Sequence, residues 1–282
     1  MRRELNIYIE TAKNRTLLKN KTWILFFLIL LFTGCEKVIE VDLNDANPAI
    51  VIEANITNSE KLVEVKISKT SSFFGTDSVQ MVSNALVIIE NDAGNKVTLK
   101  EVKKGIYKTR NLYPMPGREY KITVEVEGQT YEAESVLNYA VEIDSLATEY
   151  NSGFAFLKSG YNVNLYFHDP ENVKNYYRLN VYVNGKLEQD DGDYIIFDDE
   201  NINGEYVELK IRRKIFELGD QVTYELISLD KGAYKYFNSL QELMSVNPGS
   251  AAPSNPISNF SNGALGYFSA WSSDSKSVVV EK

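Results

Sequence analysis

The chain has 282 residues, 39 acidic against 30 basic, one histidine and one cysteine. A net charge of −9 repels phosphate backbones and makes nucleic acid an unsuitable partner. One cysteine permits no internal disulfide, and one histidine gives little material for zinc chemistry.

The first 22 residues carry Arg2, Arg3, Lys13, Arg15, Lys19 and Lys21 against Glu4 and Glu10. An apolar run from Trp23 to Phe32 follows, then Thr33, Gly34 and Cys35. A basic stretch, a short apolar core and small residues at a cut site predict a secretory signal peptide over 1–34. The run is shorter than the roughly 20 residues a membrane-spanning helix needs. Thr33-Gly34-Cys35 resembles the lipobox read by lipoprotein signal peptidase, with Phe32 in place of the usual Leu. Cys35 is therefore the expected lipid attachment point, its palmitate-type chains inserted in membrane lipid. Two or more acyl chains hold stably where one is marginal. Cutting before Cys35 leaves 24 basic and 37 acidic residues, a net charge of −13.

Residues 35–48 are polar and acidic and read as a tether. From 49 to 140, short alternating runs separated by turn residues predict strands. Examples are Ile50–Ile56, Leu62–Ser68, Ala85–Glu90, Tyr120–Val126 and Thr130–Val136. Their spacing predicts an immunoglobulin-like β-sandwich. Pro116-Gly117 leading into Tyr120–Val124 resembles the turn into a tyrosine strand of immunoglobulin-like modules.

A second antiparallel β domain is expected over 141–282. Ile143–Tyr150, Tyr161–His168, Tyr176–Val183, Tyr206–Ile211 and Gln221–Leu229 read as its strands, with a hairpin turn at Asn184-Gly185. Ala233, Phe237, Leu240 and Met244 fall at helical spacing and predict one covering helix at about 231–244. After an irregular stretch at 247–262, Gly266–Trp271 and Ser277–Val280 read as two closing strands. The fold class expected is mainly β.

Three segments carry a family resemblance. They are Cys35–Leu43, Tyr234–Leu240, and the tail Pro256-Ile257-Ser258-Asn259-Phe260-Ser261-Asn262-Gly263-Ala264-Leu265-Gly266-Tyr267-Phe268-Ser269-Ala270 preceded by Asn247-Pro248. Together they resemble the domain-of-unknown-function family forty-two forty-nine, a group of Bacteroidota lipoproteins. The resemblance implies an outer-membrane, lipid-anchored protein, exposed at the cell surface, whose genes neighbour TonB-dependent receptors. Such a receptor is the implied partner. No catalytic or binding residue comes with the resemblance. Asp77-Ser78-Val79 and Asp144-Ser145-Leu146 resemble that phylum's O-glycosylation acceptor pattern.

Enzyme signatures are sparse. His168 is the only histidine available as a base, and Asp169-Pro170 after it favours a turn. No nucleophile elbow, P-loop or dinucleotide fingerprint occurs. Asp199, Asn201 and Asn203, with Gly204 following, fit the first half of a calcium loop. Lys210 stands where that loop needs a bidentate glutamate, so calcium competes with a solvated acidic rim as the reading. Tyr267 and Trp271, beside the long irregular stretch, are the expected ligand or partner contacts. The function expected is a non-enzymatic accessory, or ligand-binding partner, of a TonB-dependent transporter. A structural or adhesion-type surface lipoprotein and a carboxylate-dependent hydrolase are the alternatives.

Overall fold

A computed structural model describes residues 48–58, 62–70, 79–153, 159–188, 194–212, 214–244 and 255–282. The expected signal peptide, Cys35 and all but the end of the tether lie outside the described residues. So do Asp77 and Ser78 of the first acceptor motif, and residues 247–254 of the irregular stretch.

The protein is mainly β. In the first half, β1 is Ile50–Thr57, β2 Val63–Lys69, β3 Gln80–Met81, β4 Leu86–Asn91, β5 Lys96–Thr98, β6 Lys100–Lys103, β7 Ile106–Thr109, β8 Glu119–Val126 and β9 Gln129–Val136. In the second half, β10 is Ile143–Asn151, β11 Gly160–His168, β12 Tyr176–Val183, β13 Lys186–Leu187, β14 Ile195–Asp198, β15 Tyr206–Lys210 and β16 Gln221–Leu229. The helix α1, Lys231–Met244, and the last strand β17, Leu265–Val279, complete the described elements. Among the described residues, α1 is the one helix, and no helix is long and apolar enough to cross a membrane.

Period-two alternation explains the strands. In β1, Ile50, Ile52, Ala54 and Ile56 are buried, while Glu53 is exposed and Asn55 and Thr57 are half-buried. Asn184 and Gly185 both take positive φ, 51° and 81°, and join β12 to β13 with Val183 opposite Lys186. That is the turn conformation the Asn-Gly pair favours. Two short strands, β3 and β6, were not expected from pattern, since two to four residues carry no readable period.

The described strands assemble into three sheets. The largest runs β13-β12-β16-β17-β1-β2-β7-β6, with β14 beside β12 and β3 beside β2. A four-stranded sheet has the order β5-β4-β8-β9, and a three-stranded one β10-β11-β15. The first half of the large sheet and the four-stranded sheet share one buried cluster, which includes Ile52, Ile67, Ile89, Tyr120, Leu137 and Phe268. The other half and the three-stranded sheet share a second, including Val163, Phe167, Tyr177, Tyr224 and Leu226. Each such side chain, fully buried, is worth roughly 1.5–3 kcal/mol of apolar transfer.

The two clusters lie either side of the division expected near residue 140, and the chain crosses that division again at its end. Residues 265–271 of β17 pair parallel with β1, and residues 272–279 pair antiparallel with β16. The two closing strands expected from pattern are thus one continuous 15-residue strand. Residues Asp45–Lys282 form one compact unit. The connection between the halves is stitched to β16 and β17. Asn138 Nδ2 donates to the Leu229 carbonyl, Val141 N to Ser228 Oγ, and Ile143 N to Asp274 Oδ2.

The helix covers the outward face of the large sheet. Ala233 and Phe237 pack with Ile227 and Leu229 of β16, ringed by Tyr176, Tyr194, Tyr234, Tyr236, Tyr267 and Trp271. Asp230 caps the helix, its Oδ1 accepting from Gly232 N at 2.6 Å and Ala233 N at 3.1 Å.

Candidate functional site

Beside that aromatic cluster, on the same outward face, lies a half-open groove of about 400 Å³. It forms because five neighbouring strands each turn a polar or aromatic row outward. β1 contributes Glu53, Asn55 and Thr57, and β2 contributes Glu64 and Lys66. From the second half come Asn180 and Tyr182 of β12 and Glu225 and Ile227 of β16. Tyr267 and Trp271 of β17 also line the groove. The groove therefore sits where β17 joins the first-half strands to the second-half strands, and needs both.

Several of its polar groups are held by partners. Glu225 accepts from Asn180 Nδ2 and the Tyr182 hydroxyl at Oε2, and from the Ser273 hydroxyl at Oε1, all at 2.9 Å. Burial, then the neighbouring Glu225 carboxylate, pushes the Tyr182 phenol up from its ordinary value. Asn55 Nδ2 donates to the Tyr267 hydroxyl at 3.3 Å. Burial raises the Tyr267 phenol as well, while this Asn55 bond opposes the rise. Two phenols with raised pKa values stay neutral donors and acceptors across the physiological range.

Among the described residues Asn55 Oδ1 is buried with no partner, and so is Ser269 Oγ, on the residue facing Asn55 across the β1–β17 register. Buried polar atoms without partners cost free energy unless a water or a ligand satisfies them.

The aromatic wall is packed from behind. Tyr267 lies 4.7 Å from Tyr236 and 4.8 Å from Phe237, centroid to centroid. Arg178 of β12 places its guanidinium carbon 4.7 Å from the Phe237 ring and 4.9 Å from the Tyr194 ring. Burial lowers the Arg178 pKa, and among the described residues its Nε has no hydrogen-bond partner. The ring faces offer it cation–π attraction in place of a carboxylate.

Sequence reasoning picked out Tyr267 and Trp271, and the structure brings both into the groove. It missed Asn55, Glu64, Lys66, Asn180 and Glu225. Each of these occupies the polar phase of an alternating strand, where a solvated face and a groove wall give the same pattern.

Asp199, Asn201 and Asn203 lie elsewhere, on the turn between β14 and β15. Asp199 is buried, and both its oxygens are engaged. Oδ1 pairs with Lys174 Nζ at 2.5 Å and Oδ2 accepts from Asn175 N at 2.7 Å. Asn201 and Asn203 are exposed. An ammonium at Asp199 occupies the place a cation would take, so Asp199 acts here as a structural anchor for the turn. Among the described residues no group of three or more His, Cys, Asp or Glu could hold a metal, while Asp190, Asp191 and Asp193 lie outside them. His168 ends β11, exposed. The next residue, Asp169, is buried and accepts from the Tyr177 hydroxyl and from Gly204 N.

Fold and groove together define a mainly β protein that presents a polar, aromatic-walled cleft on the outer face of its largest sheet. The chain belongs to DUF4249, a domain of unknown function, whose family model matches residues 36–277. No curated protein matches the chain.

Proposed function

We propose that this chain is a lipid-anchored protein of the bacterial outer membrane that works by binding, as the accessory of a TonB-dependent transporter. The groove is the observation that carries the binding role. Several of its hydrogen-bonding groups, Asn180, Tyr182 and Glu225, are held in place by neighbouring side chains and its aromatic wall is packed from behind, an arrangement that lowers the entropic cost of capturing a ligand. A volume of about 400 Å³ falls within the range of roughly 300–1,000 Å³ usual for small-molecule sites. The basic stretch, apolar run and Thr33-Gly34-Cys35 support the anchor. Its resemblance to lipoproteins encoded beside TonB-dependent receptors supports the transporter partner.

Replacing the anchor residue tests this reading. The wild-type chain is expected to take up labelled palmitate, fractionate with the outer membrane and bring a large β-barrel with it on affinity purification. Cys35→Ser is expected to lose the label and leave the membrane. Membrane retention of Cys35→Ser would overturn the anchor, and absence of any co-purifying barrel would overturn the transporter role.

A further inference from the structure

We propose that the groove binds an uncharged, polyhydroxylated ligand, a short saccharide, with a C–H face laid against Trp271 and its hydroxyls shared between Glu53 and Lys66. This deepens the binding role proposed above and rests on it, but not on the anchor or the transporter.

The groove's charges decide the class. Three carboxylates, Glu53, Glu64 and Glu225, line it against one ammonium, Lys66. That balance, on a chain of net charge −9, disfavours an anion. A cation fares little better. Glu64 is paired with Lys108 at 2.5 Å, and Glu225 already accepts three hydrogen bonds. Among the described residues, only Glu53 of these three carboxylates has no bonded partner, and Lys66 stands opposite it across the β1–β2 register. An apolar ligand would strip water from Asn55, Asn180 and the charged groups with nothing to replace it.

What remains is a ligand that both donates and accepts at many points. Glu53 and Lys66 are exposed, and neither has an ion pair among the described residues. One offers only acceptors and the other only donors. A hydroxyl group satisfies either, and neighbouring hydroxyls on one ring can satisfy both. Asn180 and Tyr182, fixed by Glu225, supply further planar polar edges. Trp271, Tyr267 and Ile227 provide the apolar wall that a ring's C–H face requires. Aromatic side chains combine a large apolar face with a polar edge, which suits a ligand that is itself polar at its rim and apolar on its faces.

The test uses the full chain in detergent and a panel of neutral trisaccharides of glucose, xylose, mannose and N-acetylglucosamine. Sialyllactose serves as the acidic probe and spermine as the cationic one. Titration calorimetry is expected to detect at least one neutral trisaccharide, with a change in Trp271 fluorescence. Trp271→Ala is expected to weaken that binding at least tenfold. Lys66→Met, at an exposed position, is expected to weaken it severalfold with unchanged thermal melting, so a folding defect is not mistaken for a lost contact. Tyr206→Ala, exposed on another sheet, is expected to bind as wild type. Binding of sialyllactose or spermine alone, or of nothing in the panel, would overturn the saccharide assignment. So would neutral binding that Trp271→Ala and Lys66→Met both leave intact. Barrel co-purification, expected equally from wild type and Trp271→Ala, reports on the transporter role separately.

Discussion

The two halves of β17 are one strand with opposite duties. Residues 265–271 lie parallel to β1 and are consumed on both faces. Phe268 and Ala270 enter the first core, while Tyr267 and Trp271 face the helix and groove. Residues 272–279 lie antiparallel to β16 and carry Ser272, Ser273, Asp274, Ser275, Lys276 and Ser277 in a row. Of these, Ser275, Lys276 and Ser277 are exposed. The first half is thus specified by apolar packing, and the second by backbone pairing together with polar side-chain bonds, from Ser272 to the Asn138 carbonyl, from Ser273 to Glu225 and from Ile143 N to Asp274. A strand can carry both because a ladder of backbone hydrogen bonds needs no particular side chain, whereas a core needs particular volumes.

The contrast is broken most severely at Gly266. Its φ is +92°, and a Cβ there would lie 2.0 Å from the Ile52 carbonyl oxygen, its register partner on β1. No shift of a side-chain tip relieves a clash with backbone in mid-sheet. Gly266→Ala is therefore expected to cost about 4 kcal/mol or more, in the tail of single-residue effects. Urea denaturation would measure it. A loss below about 1 kcal/mol would show that the β1–β17 pairing yields more readily than the geometry implies.

A smaller effect is expected where the first half of β17 meets the helix cap. Ser135 of β9 accepts from Ala270 N at 2.7 Å and donates to Asp230 Oδ2, so one hydroxyl links β9, β17 and α1. Burial pushes the Asp230 carboxyl above its ordinary 3.8, and the bonds from Ser135, Ala233 and Gly232 only partly oppose this. A raised folded value means the protonated form is favoured by folding. The stability this group contributes is therefore complete below the unfolded pKa, about 3.9, and is lost as pH rises through the raised folded value. Asp230→Asn keeps a good helix cap and has no charge to bury. Relative to that variant, wild type is expected to lose stability as pH rises from about 4, by at most about 1.4 kcal/mol per pH unit between the two pKa values. Denaturation of both proteins across pH would show it, and a wild-type advantage that grows with pH would contradict it.

Much of this was readable before any coordinates, for reasons particular residues make plain. The helix announced itself through Ala233 and Phe237, four apart and both buried. Strands such as β1, β8 and β12 were legible because their cores alternate with polar residues at period two. The continuity of β17 was not, since Ser272 to Ser277 has no apolar phase to follow. Tyr267 and Trp271 stood out as aromatics beside an irregular stretch. Glu225 did not, because the residues that fix it, Asn180 and Ser273, lie 45 and 48 positions away. The calcium-like half motif was real as a spacing, but Lys174, distant enough to be invisible to a local pattern, supplies the charge that Asp199 answers.

The smallest expected effect sharpens the contrast from the other side. In the second half of β17, Ser277 shares a hydroxyl–hydroxyl bond of 2.7 Å with Thr223 of β16, and the pair is exposed. Water replaces such a bond at almost no cost, because neither hydroxyl is stranded when its partner goes. The backbone ladder between Thr223 and Ser277 survives the change. Ser277→Ala is therefore expected to alter stability by no more than about 0.5 kcal/mol in either direction. A larger loss, measured by the same urea denaturation, would mean that the exposed end of β17 also depends on its side chains, and that the division of duties along the strand is less sharp than its burial pattern.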